Sequence, residues 1–209
     1  MKQLLALFFF LTFGVPAIGQ DLPALFDVIN VASDDELNVR EDPSSTARIY
    51  STLAFNARNV EVVDLSDEGD WGLVNTGESS GWVSMRYLAL APSDDWETAE
   101  AHLYCSGTEP FWSMSLNDPA EGQAVFAAMA EEGSRTFDID WHGGQAGRAF
   151  TAIGLGGARQ GHDSAFSAVI RREACHDGMS DRNFGLAIDL FMHSSGAPDG
   201  VSGCCSLQP

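Results

Sequence analysis

The sequence is almost without lysine. Lys2 is the only one, ten arginines supply the remaining fixed positive charge, and 30 acidic side chains leave a formal net charge of −19 over 209 residues. Nucleic-acid binding needs a cationic footprint on phosphates, and docking on anionic lipid needs a basic patch, so the balance argues against both. Cysteine is also sparse, at four residues, which excludes the disulfide-dense miniproteins. The five histidines (His102, His142, His162, His176, His193) fall in separate segments, and no His-x-x-x-His, His-x-His or Cys-x-x-Cys spacing occurs, so no metal-ligand pattern emerges. Gly-x-Ser-x-Gly and His-Glu-x-x-His are absent, and Gly154-Leu155-Gly156-Gly157 is too short for a nucleotide loop. No cofactor is expected.

The composition, 44% hydrophobic and 10% aromatic, suits a folded chain with a core. Residues 1–19 read as a secretory leader. Met1-Lys2 gives a short positive start, Leu4 to Val15 an apolar run, and Pro16-Ala17-Ile18-Gly19 the small residues before a cut ahead of Gln20. That run falls short of the ~20 residues a membrane span needs, and no later stretch is long and apolar enough. The expected location is periplasmic or secreted, where cysteines oxidise.

The mature chain divides near Ala91-Pro92-Ser93-Asp94-Asp95, and all four cysteines and all five histidines follow that point. The reading is all-β: two small antiparallel domains at 26–90 and 101–209, with 91–100 as a linker. In the first, Phe26 to Val31 and Leu37 to Arg40 alternate with the period of half-buried strands. Asn59 to Leu65, Trp71 to Thr76 and Gly81 to Met85 continue the series between turn clusters such as Asp67-Glu68-Gly69-Asp70. Five strands in about 65 residues suit a small barrel, since a flat sheet would leave open edges. Leu37 and Val39 point inward; Asn38 and Arg40 face out.

Leu37-Asn38-Val39-Arg40, Pro43-Ser44, Ile49, Val60 to Val62, Trp71, Val74, Gly81-Trp82-Val83 and Tyr87-Leu88 together resemble the bacterial SH3 (SH3b) domain. The resemblance implies an SH3-like barrel that targets cell-wall peptides or peptidoglycan cross-bridges without catalysis. Aromatic walls with a few polar groups suit an extended peptide. The expected ligand groove is formed by Trp71, Trp82 and Tyr87, with Asn38 and Arg40 at its rim.

The second half reads as a β-barrel or β-meander stapled by disulfides, with strands at 103–105, 111–116, 123–129, 136–141, 149–153, 164–171 and 184–192. Gly143-Gly144, Gly147, Gly154 and Gly156-Gly157 read as turns. Gly107-Thr108-Glu109-Pro110-Phe111-Trp112 and Cys175-His176-Asp177-Gly178-Met179-Ser180-Asp181 resemble a family of secreted bacterial proteins marked by G-x-E-P-F-W and C-x-D-G-M-S-D, which implies no activity. Cys204 and Cys205 are adjacent, and a bond between them would be strained. Cys105 and Cys175 therefore each take one of the pair, each loop contributing roughly 3–5 kcal/mol. Cys105–Cys205 with Cys175–Cys204 is preferred, although the sequence does not choose.

Three functions follow. The first is a non-catalytic cell-envelope binding protein whose partner is peptidoglycan or an envelope peptide or protein. The second is an inhibitor of an envelope hydrolase, because acidic charge complements a cationic partner. The third is a hydrolase using Glu109, His176, Asp177 or Asp181. Against the third, Asp177-Gly178 is a turn signal, and 30 acids always offer carboxylate pairs.

Overall fold

A computed structural model describes residues 21–93, 95–98, 100–116, 122–144, 152–194 and 199–208. The expected leader and its cleavage position lie outside the described residues. The alternation in the sequence becomes two antiparallel sheets, with no α-helix among the described residues.

The first sheet holds β1 (Ala24–Val28), β2 (Glu36–Arg40), β3 (Ile49–Ala54), β4 (Val60–Leu65), β5 (Trp71–Thr76), β6 (Ser79–Ser84) and β7 (Leu88–Leu90), with a 3-10 turn at Met85–Tyr87 before β7. Its strand order is β3-β2-β6-β5-β4-β1-β7. Every second residue points inward. Phe26, Val28, Leu37, Val39, Val62, Val74, Val83 and Leu88 form one core, with Val39, Val62, Val74 and Val83 wholly buried. The seven strands pack around this core, and among the described residues no ladder joins the edge strands β3 and β7.

The second sheet is a closed barrel of β8 (Leu103–Thr108), β9 (Phe111–Leu116), β10 (Gln123–Ala128), β11 (Ser134–Gly144), β12 (Ala152–Ala158), β13 (Ala165–Cys175), β14 (Phe184–His193) and β15 (Asp199–Leu207). Each strand pairs with the next in the chain, and β15 returns to β8. Inward residues fill the barrel, among them Met114, Phe137, Ile170, Leu186, Ile188 and Leu190. Phe137 meets Phe166 edge to face, with ring centroids 5.5 Å apart.

The glycine run expected as turns is a strand instead. Gly154, Gly156 and Gly157 lie inside β12, and the reason is close approach. A Cβ on Gly156 would stand 2.6 Å from the Trp141 ring nitrogen, and one on Gly157 would stand 1.9 Å from the Asp138 carbonyl oxygen. Trp141 of β11 lies over a strand kept bare for it.

Successive strand residues face opposite sides, and this settles the cysteines. Cys205 points into the barrel and pairs with Cys105, its register partner on β8. Cys204 points outward and pairs with Cys175 at the end of β13. The described residues contain no free cysteine.

The segment between the sheets is packed. Trp96 is 3% exposed and joins Leu25, Ala91, Ala101, Leu103 and Leu207 in the barrel-side core. Arg172 of β13 lies over the Trp96 ring and reaches Glu97 at 2.5 Å.

Candidate peptide-binding groove

β2 carries Leu37 and Val39 into the core, so Asn38 and Arg40 stand on its outer side. The Arg40 guanidinium is anchored, donating to the Ala47 carbonyl at 2.6 Å, which ties the 41–48 loop to the strand. Trp71 opens β5 directly after a tight turn. Its N–H donates to Ser66 Oγ at 3.2 Å, the Ser66 N–H donates to the Trp71 carbonyl at 2.9 Å, and Gly69 supplies the positive φ of 75°. Tyr87 ends the 3-10 turn, where its carbonyl accepts the Ile29 N–H at 2.9 Å. The Arg86 guanidinium lies 4.5 Å from the Tyr87 ring centroid and donates to its hydroxyl at 2.9 Å.

These elements enclose an open groove of about 660 Å³. Asn38, Arg40, Trp71 and Tyr87 all line it, together with Arg86, Met85 and the segment Asn30 to Ala32. Three acids, Asp35, Glu36 and Asp70, share the lining with the two arginines. Glu36 is braced by the Thr52 hydroxyl at 2.8 Å. Trp82 is not among the lining residues. It is half-buried on the outward side of β6, with Arg40 on one neighbouring strand and Leu73 on the other as its register partners. Sequence reasoning missed Arg86 and the acidic side of the groove. Arg86 is placed by the 3-10 turn, which interrupts the alternation that a strand reading follows.

The groove sits on a sheet fixed against the barrel. Asn75 of β5 donates to the Asn183 carbonyl at 2.8 Å and accepts the Asn183 N–H at 3.1 Å. The Ser80 hydroxyl donates to the Asp181 carbonyl at 3.0 Å and accepts from the Asn183 side chain. The Asp181 N–H donates to the Glu78 carbonyl at 2.8 Å. On another strand of the first sheet, Glu61 accepts the Leu207 N–H at 2.9 Å. Burial there pushes the Glu61 pKa up to about 7, against the Leu207 N–H and the charge of Arg182, which both lower it.

Among the acids considered for hydrolysis, Asp177 is engaged by its own turn. Asp177 accepts the N–H groups of Met179 and Ser180 at 3.0 and 2.9 Å and the Ser180 hydroxyl at 2.8 Å, closing its own turn. Burial raises its pKa, but those bonds and the charge of Arg182 outweigh it and hold the carboxyl below the ordinary range. Glu109 is exposed at the β8–β9 turn, and His176 is exposed on the loop after Cys175. Among the described residues no group of three or more His, Cys, Asp or Glu is placed to hold a metal ion.

Comparison with curated proteins and with solved structures gives no match. Residues 35–89 match the family model of the bacterial SH3 domain, a span that contains β2 to β6, the 3-10 turn and both aromatic walls of the groove. Within the N-terminal half, residues 35–89 therefore read as a bacterial SH3 domain, an assignment consistent with a cell-envelope binding module.

Proposed function

We propose that the protein is an exported, non-catalytic binding protein of the cell envelope, and that its SH3 groove holds an extended peptide of the peptidoglycan. The observation that carries this reading is the groove lining: Trp71 and Tyr87 as aromatic walls, with Arg40 and Arg86 set among Asp35, Glu36 and Asp70. A peptide rich in both free carboxylates and free amines offers a partner for each charge, and its extended backbone suits an aromatic-walled trough. Two disulfides and a bacterial SH3 domain fit an extracytoplasmic setting, and no helix of the described residues is long and apolar enough to cross a membrane.

The test is co-sedimentation of the purified full chain with peptidoglycan sacculi. Removing a central aromatic wall costs about 2 kcal/mol or more at a binding hot spot, so Trp71→Ala and Tyr87→Ala are expected to weaken retention by roughly thirtyfold. Arg40→Ala acts more mildly and with salt dependence. Trp82→Ala, outside the lining, has a smaller effect than either wall. Wild-type retention in both wall variants refutes the assignment and leaves the domain as a spacer.

A further inference from the structure

The two motifs of the second half meet at one corner of the barrel. The Thr108 hydroxyl donates to the Asp177 carbonyl at 2.7 Å, which sets the loop after Cys175 beside the β8–β9 turn. Thr108 pairs with Phe111 across that turn, and the Met129 N–H donates to the Phe111 carbonyl at 3.0 Å, so the end of β10 joins the same corner. Three large apolar side chains there lie outside the core: Phe111 is 42% exposed, Met179 68% and Met129 78%. Trp112, one residue on, is buried and stacks on Phe126. Packing thus accounts for Trp112, and turn closure accounts for Asp177. Neither accounts for Phe111 or Met179.

The exposed charge here is acidic, while the half-buried Arg182 beside Asp181 lies over the Phe184 ring and acts on Asp177. Glu109, Glu132, Asp181 and Glu78 are exposed around this corner, and among the described residues none of them makes an ion pair. Arg135 is already committed to Glu131 at 3.1 Å and to the face of Phe126. We infer that this corner is a docking surface for a cationic protein that presents an apolar side chain or loop. Exposed apolar side chains rimmed by acids complement such a partner, whereas anionic polymers and lipids are repelled by the same rim. Methionine adapts its shape to the apolar insert, and the net charge of −19 steers a basic protein toward the chain before contact. The surface lies on the second sheet, so the inference does not depend on the groove reading.

The test immobilises the full chain and passes lysozyme and cytochrome c, two small basic proteins, over it in surface plasmon resonance at low and moderate salt. At least one is expected to bind, with Phe111→Ser plus Met179→Ser weakening it by about tenfold or more. Glu109→Gln with Glu132→Gln is expected to weaken it and flatten its salt dependence. Met129→Ser gives an independent apolar probe if the Phe111 change disturbs the fold by circular dichroism. Trp71→Ala leaves this binding unchanged. The inference is overturned if neither basic protein is retained, if the apolar variants bind like the wild type, or if Trp71→Ala abolishes binding.

Discussion

Glu61 offers the sharpest test of how the two sheets are held together. Its carboxylate receives the Leu207 N–H across the junction, and burial there raises its pKa from 4.5 to about 7. A carboxyl raised in the folded state binds its proton more tightly folded than unfolded. Its contribution is fully present below about pH 4.5 and is lost as the pH rises through about 7. Each pH unit in that window is worth about 1.4 kcal/mol, so ionisation costs ~3 kcal/mol by pH 8 relative to pH 4. Glu61→Gln keeps an oxygen for Leu207 and removes the titration. Urea denaturation of both proteins at steps from pH 4 to pH 8 is expected to show a gap that grows by ~3 kcal/mol in the variant's favour. The folded state lowers the pKa of Asp27 and Asp177 from 3.8, so they lose their contribution as the pH falls below that value, equally in both proteins. Parallel pH profiles refute the reasoning, as does a gap that grows in favour of the wild type.

Gly157→Ala places a Cβ 1.9 Å from the Asp138 carbonyl oxygen, so thermal unfolding is expected to show a loss beyond about 4 kcal/mol or no folded protein. Gly133→Ala, with φ of 82° and nothing within 4 Å, is expected to cost only about 1 kcal/mol. Equal effects at the two sites overturn the close-approach account. Asn183→Ala removes the side-chain bond to Ser80 and is expected to speed proteolytic cutting at 91–101, a segment held in the wild type by buried Trp96. Unchanged cutting rates mean that the loop does not brace the first sheet.

The strands with strong alternation were legible in the sequence. Leu37 to Arg40 and Ala168 to Arg171 put alternate residues on a buried side, and β2 and β13 form there. Phe137 to Trp141 forms part of β11, where Phe137 is buried but a register shift between Ile139 and Trp141 leaves Trp141 exposed. Gln123 to Ala128, rich in helix formers, is a strand because β9 and β11 pair with it on both sides. β3 escaped notice. It is an edge strand with no fully buried residue, Ile49 at 44% exposure among them, so no apolar period marks it. The β12 glycines misled because their use depends on Trp141, which approaches from the neighbouring strand. The preferred cysteine pairing matches the structure, yet it rests on which side of β15 faces inward, and no local pattern states that. At the groove, Asn38, Arg40, Trp71 and Tyr87 were legible as outward polar and aromatic positions and line one trough. Trp82 shares their exposure pattern and pairs with Arg40, yet it does not line the trough.

The return of β15 to β8 has a consequence for assembly. Cys105 and Cys205 are 100 residues apart, so the ring's first stave waits for its last before it can be hooped. Until then β8 and β14 present bare edges, the kind that recruit stray chains. Both cystines end on β15, so a premature Cys105–Cys175 bond leaves that stave unfastened on either side. Oxidation in the native pattern therefore certifies that the ring has closed. The adjacent cysteines act as a double latch, one bolt thrown inside the barrel and one outside.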